Sequence, residues 1–99
     1  MLVRELTFDP VAASVDAVQR AAYRLSDRLS IDLVAGDRRI ECVAHIESDD
    51  VAVADAVVAE LRKLVLDEVL RERIREETAE VRNVILAVAF SQTGLTDQG

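Results

Sequence analysis

The sequence predicts a single α+β domain, a three-stranded sheet with helices on one face, in the order β-α-β-β-α and closed by a long C-terminal helix. Three observations carry this. Apolar and polar residues alternate in three short runs, the period of a half-buried strand. Turn chemistry separates the runs, with Asp9-Pro10 after the first and Gly36-Asp37 between the other two. From Val51 onward apolar residues recur at helical spacing for about forty residues. The domain covers residues 1–93, and 94–99 read as a frayed tail.

The first strand runs from Leu2 to Phe8, with Leu2, Leu6 and Phe8 on one face and Val3, Glu5 and Thr7 on the other. Pro10 stops it, because proline cannot donate to a ladder. Ser14 suits an N-cap, since its hydroxyl can accept a free amide of the first turn. In the helix that follows, Val15, Val18, Ala22 and Leu25 share a face flanked by Ala21 and Tyr23, and the helix is expected to end near Arg28.

Two strands come next. Leu29, Ile31, Leu33 and Ala35 alternate with Ser30, Asp32 and Val34. Ile40, Cys42, Ala44 and Ile46 alternate with Arg39, Glu41, Val43 and His45. Gly36-Asp37 between them signals a hairpin turn of positive φ. One of these two strands should be a sheet edge, free to accept an added peptide strand. The sheet face away from the helices would carry Val3, Val34 and Val43 among polar residues, a candidate contact surface.

Ser48, Asp49 and Asp50 supply caps for the last helix. Its period runs through Ala54, Val57, Val58, Leu61, Leu64 and Val65 and continues to Phe90. Forty residues of helix span about 60 Å, so we expect either two segments bent near Asp67 to Arg73 or a protruding arm. Leu70, Ile74, Val81, Ile85 and Val88 form one stripe of its second half, and Ile74, Val81 and Ile85 are expected to be buried. Asp67 with Arg71 and Arg73 with Glu77 have the i,i+4 spacing of helix-stabilising ion pairs.

Composition narrows the function. Net charge is −7, with 19 acidic against 12 basic residues, which disfavours nucleic acid and anionic membrane surfaces as partners. No run approaches the roughly 18 apolar residues of a membrane span. Arg4 and Glu5 interrupt the N-terminus where a signal peptide needs apolar residues, and Cys42 is the single cysteine. The expected location is the cytoplasm. Cys42 and His45 differ by three positions in a strand and point to opposite faces, so they cannot converge on a metal. With one histidine, no phosphate-binding glycine loop and no CxxC, we expect no catalytic residues, no metal and no cofactor.

Two stretches carry a resemblance. Ser14 to Arg28, SVDAVQRAAYRLSDR, looks like the first-helix signature of the His-Xaa-Ser system protein HxsD family. The pattern LRExIxxETxxVRxxIxAxAF is similar to that family's closing motif, and Leu70, Arg71, Glu72, Ile74, Glu77, Thr78, Val81, Arg82, Ile85, Ala87, Ala89 and Phe90 match it. Val88 departs from it, standing where the family would have glutamine. The resemblance implies a small accessory protein that accompanies radical-SAM maturases and a peptide bearing His-Xaa-Ser repeats. The iron–sulfur chemistry would then belong to those partners. Arg71, Arg82, Glu77 and Phe90 are the partner-binding residues the motif suggests. The alternative is a homo-oligomeric structural protein with no peptide substrate.

Overall fold

The computed structural model describes the backbone of residues 1–93 and the side chains of residues 1–84. The order is β1 (Leu2–Phe8), α1 (Val15–Arg24), β2 (Leu29–Ala35), β3 (Ile40–Ile46) and α2 (Val51–Thr93). Strand order is β1-β3-β2, so β3 is central and β1 and β2 are the edges. Both edges run antiparallel to β3, with Leu2 and Leu29 opposite Ile46, and Phe8 and Ala35 opposite Ile40. The α1 crossover therefore joins parallel strands that straddle β3. Of the two candidate edge strands, β2 is one and β3 is not.

The register explains the core. Leu6, Cys42 and Leu33 form one inward row, and Leu2, Ile46 and Leu29 another. Ile40, Cys42, Ala44 and Ile46 are all buried, so the central strand gives its whole inner face to the helices. Small residues let α1 approach closely: Ala17 and Ala21 are fully buried, beside Val18, Ala22 and Leu25. From α2, Ala54, Val57, Leu61 and Val65 close the core. Arg4 also lies in an inward row and reaches Asp55 of α2 at 3.6 Å. The Arg62 guanidinium lies 6.0 Å from the centre of the Phe8 ring, pinning the same helix to β1. Cys42 is buried, and desolvation pushes its thiol up.

Local signals behave largely as expected. Ser14 caps α1, its Oγ accepting the Ala17 amide at 3.0 Å. The same hydroxyl donates to Glu72 Oε1 of α2 at 2.7 Å, so one side chain both starts a helix and ties two together. Ser14→Ala should lower stability by about 1 kcal/mol for the cap alone, read as a shift of the urea midpoint. Asp50 caps α2 through its Oδ1, which accepts the Ala52 amide at 2.9 Å.

Three expectations need correction. Helix α1 ends at Arg24, not near Arg28, because the Leu25 amide turns back to Ala22 and the Arg28 amide to Leu25. Gly36 lies outside the left-handed region; the residue is small because a Cβ there would sit 3.2 Å from the Arg39 carbonyl oxygen. Its amide donates to that same oxygen at 3.0 Å and closes the turn. Helix α2 is one element of 43 residues, passing unbroken through Asp67 to Arg73, so of the two alternatives the protruding arm is the one realised. Finally, Ile74 and Val81 are not buried but 62% and 58% exposed, while the Ile85 side chain lies outside the described residues. The second half of α2 is the projecting arm, on a molecule 65 Å long and only 27 Å across.

Candidate functional site

Helix α1 packs against the first half of α2, out to the Ser14–Glu72 contact, and leaves a groove on one side of the seam. Its floor and walls are built from complementary charges. Arg24 of α1 donates from Nη1 to Asp67 Oδ2 at 2.7 Å and to Glu68 Oε1 at 3.3 Å. Arg71 of α2 donates from Nε to the same Asp67 oxygen at 2.8 Å, which realises the i,i+4 pair expected there. The Arg73–Glu77 pair at the same spacing is not among the ion pairs the described residues make. Glu68, 7% exposed, is the buried charged side chain of the described residues. A buried carboxylate needs a partner, and Arg24 is the one it has.

Two arginines on one carboxylate shift its titration. The Arg24 hydrogen bond, then that of Arg71, holds the Asp67 carboxyl below its usual range, and Asp67 in turn pushes Arg24 up. A carboxyl depressed in the folded state contributes stability above its unfolded value, and loses it as pH falls through the folded one. Asp67→Asn should therefore flatten the loss of stability below about pH 4, measured as urea midpoint against pH.

The groove is open to solvent and offers about 530 Å3 between Gln19, Arg20, Tyr23 and Arg24 of α1 and Glu68, Arg71 and Arg75 of α2. Tyr23 stands at its rim, 80% exposed rather than flanking the core as its spacing suggested. Arg20 and Arg75 also line a smaller adjoining depression with Ser14, Asp16, Glu72 and Glu76. Arginine guanidiniums at this density can hold planar carboxylates through paired hydrogen bonds.

The four residues singled out by motif fall in different places. Arg71 lines the groove. Arg82 is exposed, eleven residues further along α2, which is three turns and only about 20° from the azimuth of Arg71. The two share a face, some 16 Å apart, with Arg82 beyond the end of α1. Glu77 is exposed and six residues from Arg71, which puts it on a different side of the helix. The Phe90 side chain lies outside the described residues. Arg20, Arg24 and Arg75 were missed. Each belongs to an i,i+4 arginine pair, Arg20 with Arg24 and Arg71 with Arg75, and that repetition on two helices was the available signal.

The arm itself carries the second feature. Leu66, Leu70, Ile74, Val81 and Val84 are between 49% and 63% exposed. Leu70 follows the buried Leu61 by nine residues, two and a half turns, so it faces away from the domain. Helix α2 thus has one apolar face turned inward over its first half and another turned outward over its second.

On the open sheet face, Val3 and Val34 are 46% and 66% exposed. His45 pairs there with Asp32 at 3.0 Å, diagonal to its direct partner Ser30. No group of three or more metal-capable side chains occurs among the described residues, and no helix described is long and apolar enough to cross a membrane.

No curated protein and no solved structure gives a significant match. Residues 8–96 match the family model described as "HxsD: His-Xaa-Ser system protein HxsD", a span that begins in β1 and takes in both helices, the groove and the arm. The chain belongs to the HxsD family and so to a His-Xaa-Ser system.

Proposed function

We propose that this chain is a non-catalytic accessory protein of peptide modification in the cytoplasm. It binds a radical-SAM maturase of the system, or presents that enzyme's His-Xaa-Ser peptide, through the arm of α2. One observation carries the reading. The apolar positions Leu70, Ile74 and Val81 belong to the closing motif, yet they lie in solvent rather than in the core. Folding of the monomer cannot require them to be apolar. A contiguous exposed aliphatic stripe is the ordinary mark of a surface that a partner covers. An amphipathic helix can lay such a stripe into a groove of another protein.

The test is co-expression of tagged protein with the maturases and the repeat peptide. Recovery of a maturase or the peptide in stoichiometric amount is the expected result, and recovery of neither removes the proposal. A second reading draws on the same stripe, since two arms could bury it against each other in a homo-oligomer. Sedimentation equilibrium separates the two: a monomer is expected when the protein is alone, whereas a stable oligomer favours the structural reading.

A further inference from the structure

The groove between α1 and α2 is a second binding site, distinct from the arm, and we infer that it takes a carboxylate carried on a peptide. Four guanidiniums, from Arg20, Arg24, Arg71 and Arg75, face it against the two carboxylates of Asp67 and Glu68. Among these six side chains the balance is two positive charges, on a chain whose net charge is −7, and Asp16, Glu72 and Glu76 line the adjoining depression. The division of labour is visible in the contacts. Arg24 and Arg71 are fixed by Asp67 and Glu68, while Arg20 and Arg75 make no ion pair among the described residues. The first two build the wall, and the second two have donors to offer.

The size and surroundings choose the ligand class. An excess of two charges matches one or two carboxylates. A phosphodiester strand would meet Asp16, Glu72 and Glu76 in that depression beside Arg20 and Arg75. Repulsion there works against a polyanion. The arginine stems and the Tyr23 ring offer apolar walls to the rest of a peptide. The carboxylate could be an acidic side chain or a chain's own C-terminus, and the chemistry of capture is the same.

Tyr23 is the single tyrosine of a chain without tryptophan, so intrinsic fluorescence reports on the rim of this groove. Titration of the full-length protein at low salt with an acetylated, amidated Gly-Gly-Glu-Gly-Gly peptide, which carries one carboxylate, should change that emission saturably. A pentaglycine with a free C-terminus and its amidated twin separate terminal from side-chain recognition. Arg20→Ala/Arg75→Ala should weaken binding by about tenfold or more, since each lost charged hydrogen bond counts. Arg38→Ala, in the distant β2–β3 turn, should bind as wild type. Lysine at both groove positions keeps the charge and should recover only part of the affinity. Unchanged melting of these exposed-site variants confirms folding. A lack of response by fluorescence and calorimetry overturns the inference, as does equal loss in Arg38→Ala. Tighter binding of a single-stranded oligonucleotide than of either peptide also overturns it. Ile74→Asp on the arm leaves this titration unchanged, so failure here and failure of the arm to bind a maturase are separate results.

Discussion

Leu61→Ala should destabilise the domain by about 2–5 kcal/mol, whereas Ile74→Ala on the same helix should move it by less than about 0.5 kcal/mol. Both are large aliphatic residues at helical spacing from other apolar positions, and both look like core in the sequence. Leu61 is fully buried among side chains of both layers, so its removal leaves a cavity as well as losing apolar burial. Ile74 is 62% exposed and has no neighbouring layer to lose. Alanine is also the better helix former, which offsets what contact Ile74 retains with its own helix. Paired urea titrations of the two variants measure the contrast. Equal destabilisation would mean that the arm folds back onto the body in solution.

Why the first half of α2 was legible and the second half was not follows from lengths. Strands of seven residues span about 23 Å, while a 43-residue helix spans about 65 Å. Only the part from Val51 to about Glu72 can lie over the sheet and α1, and Glu72 is the last side chain of the described helix that is not exposed. Periodicity reports that a helix has an apolar face. It does not report what the face meets. Ala54, Val57, Leu61 and Val65 meet the sheet, and Leu70, Ile74 and Val81 meet solvent, although both sets follow the same rule of spacing. The strands were easier, because each apolar alternation of seven residues admits a single inward face once β3 is central.

The groove was harder to read for a related reason. Asp67 with Arg71 is a contact within one helix and is visible from spacing alone. Arg24 with Asp67 spans 43 positions and depends on α1 lying beside α2. No pattern within either helix encodes that neighbourhood, so spacing alone gave no reason to group Arg20, Arg24 and Arg75. Tyr23 misled in the same way, being two positions from the core residues Ala21 and Leu25 yet turned to the groove rim.

Ile74→Asp/Val81→Asp should weaken capture of the arm's partner by about 100-fold or more without lowering the melting temperature of the isolated chain. Each aspartate sits in water in the free protein, where it costs little. Docking would then bury two unpaired charges in an apolar contact, and each such burial opposes binding by several kcal/mol if no cation meets it. Arg82→Lys, on the neighbouring face of the arm, separates charge from geometry: a modest loss implies that the partner meets that face as well. Amide exchange supplies a reading independent of mutation. Protection gained between Leu70 and Val84 on adding partner places docking on the arm. Protection confined to the edge strand β2, Leu29–Ala35, would point instead to strand addition at the sheet, and the aspartate variants would then bind as wild type. The two surfaces differ in which backbone groups a partner can reach. An edge strand offers amides with no partner strand, whereas the amides of α2 are spent within the helix and only its side chains remain to bind.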